Sequence, residues 1–127
     1  MAIWATEGGE VIINGGTFTN VGAKDKDESG ANNNELIYVS KGGKVTINAG
    51  TFIGNTSNET YGARFTLNSK DENTSTPARE GGDIIVCGGT FHSYNPSASV
   101  SENPIANFIA EGFTVVENEG IFTVIAE

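Results

Sequence analysis

Apolar and polar positions alternate over short stretches of this chain: Val11 and Ile13 fall on one side of an extended segment, Ile12 and Asn14 on the other. The alternation returns at Val45 and Ile47, and again at Ile84 and Val86. A side-chain period of two predicts strands. Glycines bound each one, in three segments that align without gaps. They are Gly8-Gly9-Glu10-Val11-Ile12-Ile13-Asn14-Gly15-Gly16-Thr17-Phe18, Gly42-Gly43-Lys44-Val45-Thr46-Ile47-Asn48-Ala49-Gly50-Thr51-Phe52 and Gly81-Gly82-Asp83-Ile84-Ile85-Val86-Cys87-Gly88-Gly89-Thr90-Phe91. The first two copies extend backwards, with Ile3-Trp4-Ala5-Thr6-Glu7 matching Ile37-Tyr38-Val39-Ser40-Lys41 at the same offset. From Gly8 to Gly42 to Gly81 the units recur after 34 and 39 residues, a spacing found in repeat architectures.

A single unit cannot bury its apolar face alone. Stacking like units about 4.8 Å apart buries that face continuously and pairs the backbone groups between neighbours. In register, the stack predicts an aromatic column of Phe18, Phe52 and Phe91, and a polar ladder of Asn14 and Asn48 that Cys87 interrupts. Glycines supply positive φ at the corners with little steric cost. Charge gives an independent check. One aligned position carries Glu10, Lys44 and Asp83, another Glu7, Lys41 and Glu80. Each Lys then lies between two carboxylates, where like charges would repel. An exposed pair contributes only about 0–1 kcal/mol, so the columns set register more than stability.

Between the units run polar excursions, Thr19–Glu35 and Gly54–Thr76, rich in Asn, Asp, Ser and Thr and read as surface loops. Within the second, Ala63-Arg64-Phe65-Thr66-Leu67 reads as a strand replacing the Ile-Tyr-Val segment that the third unit lacks. After Phe91 the pattern stops, and only Pro104 to Glu111 admits a turn or two of helix. Phe113–Val116 and Ile121–Ile125, joined through Asn118-Glu119-Gly120, predict a hairpin that caps the C-terminal end of the stack. The N-terminal end, where a strand begins at Ile3, has no such cover and should be closed by the chain, a sister subunit or a partner. One domain over residues 1–127 results, with repeats in 1–103 and the cap in 104–127.

Composition narrows the function classes. Seventeen Gly against three Pro fits tight turns between short strands. A net charge of −9 argues against nucleic acid, which demands clustered Lys and Arg, and against an anionic membrane surface. The acidic surface instead keeps a Gly-rich β protein soluble. Cys87 is the sole cysteine, so no intrachain disulfide forms. Residues 1–16 lack a basic start followed by an apolar stretch, which reads as no signal peptide and leaves a cytoplasmically made protein or an excised domain.

The Gly-Gly-Thr-Phe unit resembles the short strand repeats of single-chain parallel β-helices on bacterial surfaces and phage virions, and the tail Asn107–Val124 resembles the terminal segment that follows it in gut-bacterial surface proteins and in phage fibre-like or head-decoration proteins. The resemblance implies an all-β fold, a short parallel β-helix (β-solenoid) of about three rungs with long polar loops and a C-terminal capping β-hairpin. Many such β-helices are polysaccharide lyases or hydrolases, so the fold alone leaves chemistry open.

Catalysis requires a positioned base, nucleophile or metal. His92 is the sole histidine and has no carboxylate paired with it by spacing; Cys87 has only His92 near it in sequence; Arg64 and Arg79 offer a lyase base or a contact for an anionic sugar. For each of the four, a packed or surface role is the better reading. Asp25, Asp27 and Ser29, with Gly30, match the first half of a calcium loop, but its twelfth position is Leu36 and Glu35 falls one residue early. A solvated loop tip explains them better, and no cofactor is expected. Asn55, Asn58 and Asn73 begin glycosylation sequons of the kind that Asn/Ser/Thr-rich loops produce freely. The outward apolar residues are more informative. If Ile3, Ala5, Ile37 and Val39 face inward, Trp4 and Tyr38 face out, as do Ile12 and Ile85. Outward aromatics suit a protein interface or a sugar platform. The sequence therefore predicts a non-catalytic structural or interaction protein, a virion decoration or fibre subunit contacting sister subunits or a capsid scaffold. A bacterial cell-surface adhesin or carbohydrate-binding domain, with a host glycan as ligand, is the alternative, and a polysaccharide-active enzyme comes third.

Overall fold

In a computed structural model, the described residues are 1–20, 35–56, 62–70, 81–102 and 105–127. They form nine strands: β1 (Ile3–Ala5), β2 (Glu10–Thr19), β3 (Ile37–Val39), β4 (Lys44–Ile53), β5 (Leu67–Ser69), β6 (Asp83–Val86), β7 (Thr90–His92), β8 (Phe113–Asn118) and β9 (Ile121–Ala126). Two sheets result. One is parallel, in the order β1-β3-β5; the other has six strands, with β2-β4-β7-β9-β8 in line and β6 beside β4.

The aligned repeat positions meet as Cα partners. Ile3 pairs Ile37, Trp4 pairs Tyr38 and Ala5 pairs Val39. In the second sheet Glu10, Val11, Ile12 and Ile13 pair Lys44, Val45, Thr46 and Ile47, and these in turn pair Asp83, Ile84, Ile85 and Val86. Thr51, Phe52 and Ile53 continue the ladder onto Thr90, Phe91 and His92. The register slips once past Ile13, where Asn14 meets Ala49, and recovers at Thr17 and Thr51. Inward residues of both sheets form one core, with Val39, Val45, Ile47, Phe52, Val86 and Phe91 fully buried. The Phe rings stack at centroid distances of 5.2 Å (Phe18 to Phe52) and 4.9 Å (Phe52 to Phe91).

Type I′-like corners carry the chain between the sheets, with positive φ at Glu7 and Gly8 (55° and 76°) and at Lys41 and Gly42 (50° and 74°). Each corner closes through a backbone bond, Gly9 N–H to Thr6 O and Gly43 N–H to Ser40 O, both 2.9 Å. The second glycine of the pair answers a different need. A Cβ on Gly43 would lie 2.5 Å from Ala5 O, and one on Gly82 would collide with the Val39 carbonyl. Backbone of the preceding unit occupies that space.

Three expectations are corrected. The first is the short parallel β-helix of three rungs. The fold is all-β, but the larger sheet is mixed, and no closed sheet or three-rung helix forms among the described residues. In the larger sheet the third unit has only two short strands, β6 and β7, and the free edge of β7 takes up β9 antiparallel, with Phe91 opposite Phe122. The hairpin is thus part of the sheet rather than a separate lid over its end. Its strands run somewhat longer than expected, turning through Glu119 and Gly120 at φ of 50° and 79°. Second, the strand expected at 63–67 lies at Leu67–Ser69, so Leu67 occupies the position of Ile37. Residues 62–65 form turns instead, and Thr66 bonds back to Ala63 O through both N–H and hydroxyl. Third, residues 105–111 make no helix: Phe108 and Ala110 bond both sides of Val86, and Ile109 bridges it in parallel.

Candidate interaction edge and buried carboxylate

Burial at equivalent positions changes along the repeat. Ile37 and Leu67 are fully buried, whereas Ile3 is half-buried; Val45 and Ile84 are buried, Val11 only half; Phe52 and Phe91 are buried, Phe18 only half. The side chains are near-identical, so the difference lies in neighbours. Units two and three are covered on both sides. The far edge of β7 is taken by β9, Val86 is bonded by Phe108 and Ala110, and Ser69 O accepts from the Ser101 hydroxyl. By contrast, β1 and β2 each pair one strand only among the described residues. Among the described residues their outer sides are open edges.

On the outward surface beside this edge, Trp4 is 56% exposed and tilted against Tyr38 at a centroid distance of 6.0 Å. Its indole N–H donates to Ser40 Oγ at 3.0 Å, and that hydroxyl donates to Thr6 Oγ1 at 3.1 Å. The ring is held by its polar atom, with its face left to solvent. Ile12 is 57% exposed, and Ile85, two strands away across Thr46, is half-buried. The structure therefore joins Trp4 and Tyr38 in one patch and places Ile12 on the open edge strand, with Ile85 less available than alternation implies. The Glu7 and Lys41 side chains meet at 3.3 Å over the corner, and Asn48 donates to Asn14 Oδ1 at 3.0 Å as the polar ladder requires.

At the far side of the smaller sheet lies a cluster that the sequence does not announce. Glu35 is fully buried, and its Oε1 has no hydrogen-bond partner among the described residues. The Asn68 amide donates to Glu35 Oε2 at 3.4 Å and to Glu102 Oε1 at 3.0 Å, while Lys70 Nζ lies 2.5 Å from Glu102 Oε2. Burial pushes the Glu35 carboxyl up to about 7, with the Asn68 hydrogen bond opposing and the Glu102 charge adding to the rise; the Met1 amino group and Lys70 oppose it more weakly. Nearby, the Tyr94 hydroxyl bonds Ser99 and donates to Leu67 O, and burial pushes its ionisation well above the usual phenol range. Asn68 and Ser69 replace Tyr38 and Val39 of the second unit, so this polar set occupies space that is apolar elsewhere in the repeat. The sequence carries no local signal of it, since Asn68 and Ser69 read as loop and Glu35 as solvated.

The other candidates are not brought together. No ion pair or side-chain hydrogen bond joins His92, Cys87 or Arg64 to a carboxylate among the described residues. Asp25, Asp27, Ser29, Arg79, Asn58 and Asn73 lie outside them. Asn55 is buried, which withholds it from glycosylation in the folded chain. Among the described residues no group of three or more His, Cys, Asp or Glu could hold a metal ion, and no helix is long and apolar enough to cross a membrane. No family model, curated protein or solved structure matches this chain.

Proposed function

We propose that this chain is a non-catalytic structural or interaction protein, a decoration or fibre subunit of a phage particle, that joins sister subunits or a capsid scaffold through the open edge of its first repeat unit. The observation that carries the reading is the burial step along the repeat: Ile3, Val11 and Phe18 are half-buried where their counterparts are buried. An unpaired edge with apolar side chains at its rim is an association site unless covered, and Trp4 and Ile12 add exposed apolar area beside it. Light scattering over a dilution series, with cosedimentation on candidate particles, tests this. Trp4→Ala should weaken assembly strongly, since a Trp at a packed interface contributes about 2 kcal/mol or more. A chain that stays monomeric and binds no particle overturns the reading.

The second reading, a bacterial cell-surface or glycan-binding domain, is favoured by the exposed Trp4 face beside Tyr38, a shape suited to stacking on a sugar. Glycan binding by the monomer, lost in Trp4→Ala, would put it ahead. Release of unsaturated or reducing-end products from polysaccharide would overturn both non-catalytic readings.

A further inference from the structure

We propose that the open edge of β1 and β2 receives, in parallel and in register, a strand unit of the same Gly-Gly-cornered kind on a partner chain, one that carries Lys at both corner positions and an aromatic ring over Phe18. This rests on reading that edge as the contact surface, and of the two partners named there it selects a different chain over a sister subunit.

Three features of the edge point the same way. The corner residues of unit one are acidic, Glu7 and Glu10, and each already faces a Lys on its inner side: Glu7 lies 3.3 Å from Lys41, and Glu10 is the Cα partner of Lys44. Lys44 in turn pairs Asp83, so that column alternates in sign at every step within the chain. Continuing the alternation outward calls for Lys opposite both Glu7 and Glu10. Next, the Phe column stacks with nearly parallel rings, 7° and 14° between planes, and ends at a half-buried Phe18 whose outer face awaits a ring. Finally, the half-buried Ile3 and Val11 call for apolar inward residues at the two aligned strand positions.

A second copy of this chain does not supply such a unit. Its Lys-bearing unit, the second, is covered on both sides by units one and three. Its own open edge would meet this one about a two-fold axis, which runs the strands antiparallel or turns the apolar face outward, and either arrangement loses the aromatic and corner columns. The edge is thus matched to a different unit of the same pattern.

Residues 37–53 of the chain are a ready probe, because they carry Lys41, Lys44 and Phe52 at the three required positions. The experiment titrates the full chain with three synthetic peptides: 37–53 itself, the same peptide with Lys41→Glu and Lys44→Glu, and the same peptide with Phe52→Ala. At low ionic strength the first should bind roughly tenfold more tightly than the charge-swapped peptide, two corner pairs passing from attraction to repulsion, and salt should narrow the gap. The Phe52→Ala peptide should also bind several-fold more weakly. Chain carrying Glu10→Lys should lose part of the preference. Equal binding of all three peptides, or none by the first, overturns the proposal. If the chain assembles through Trp4 while discriminating none of these peptides, the edge remains a contact surface and only the lysine-bearing partner is lost.

Discussion

The rings of Phe52 and Phe91 stack 4.9 Å apart and 14° from parallel, although 39 residues separate them in sequence. Phe18 adds a third ring on the other face of Phe52 at 5.2 Å. The central ring has neighbours on both faces and no exposure, whereas Phe18 has one neighbouring ring and partial exposure. Phe52→Ala should therefore cost about 3–5 kcal/mol and Phe18→Ala clearly less, since a half-exposed ring loses less burial and leaves a smaller cavity. Urea denaturation of the two variants measures both values. Equal losses would mean that the first unit is covered as fully as the second.

The corner column gives a test of register. Lys44 has Glu10 and Asp83 as its Cα partners on either side, so Lys44→Glu sets three like charges in line. A loss of roughly 1 kcal/mol is expected at low salt, shrinking as salt rises. Adding Glu10→Lys and Asp83→Lys restores alternation with the signs reversed and should recover part of it. A triple variant no more stable than Lys44→Glu would show that this column carries no register energy.

This register was legible because the Gly-Gly corners, the period-two apolar pairs and the alternating charges all repeat at one offset. What followed from breaks in the repeat was not. The third unit keeps its place in the smaller sheet with Leu67, Asn68 and Ser69, and two polar residues in a strand position read locally as loop. Their burial depends on partners far along the chain: Glu102 donates its N–H to Asn68 Oδ1 and accepts from the Asn68 amide and Lys70 through its carboxylate, and Ser101 donates to Ser69 O. Glu35 sits in a polar excursion where a carboxylate reads as solvated, so only the three-dimensional structure shows it buried. The antiparallel union of β9 with β7 is likewise a long-range choice that the hairpin's own pattern does not encode. Of the residues that alternation turns outward, Trp4 and Ile12 are exposed, whereas Tyr38 and Ile85 are half-buried.

Glycine contacts separate steric need from conformational preference. A Cβ on Gly82 would run into the Val39 carbonyl of the preceding unit, whereas one on Gly15 would meet nothing within 4 Å. Gly82→Ala must push two units apart and should cost about 2 kcal/mol or more, comparable with overpacking a core. Gly15→Ala should change stability by no more than about 0.5 kcal/mol in either direction. Thermal unfolding of the pair decides it, and a tolerated Gly82→Ala would contradict the close approach of the second and third units.

The buried Glu35 predicts an unusual pH dependence. Its carboxyl titrates near 7 in the folded chain, against about 4.5 in the open chain, first because burial penalises the charge and also because Glu102 lies close. Between those values the folded state holds a proton that the unfolded state has released, so stability falls as pH rises. The contribution is fully present below about 4.5, declines through 7 and levels off above it. Two and a half pH units set an upper bound of about 3 kcal/mol. Most carboxylates that form ion pairs act in the opposite sense, with stability lost as pH falls. Glu35→Gln keeps an acceptor for the Asn68 amide and cannot ionise, so it should flatten the decline and be more stable than the parent above pH 7. Glu102→Gln removes a neighbouring negative charge but also the partner of Lys70 at 2.5 Å, so it should shift the midpoint downward while lowering stability at every pH. Urea midpoints measured from pH 4.5 to 8.5 for the parent and both variants give the three curves. Parallel curves for the parent and Glu35→Gln would show that Glu35 ionises without cost, and that the Asn68 and Glu102 cluster is wet rather than sealed.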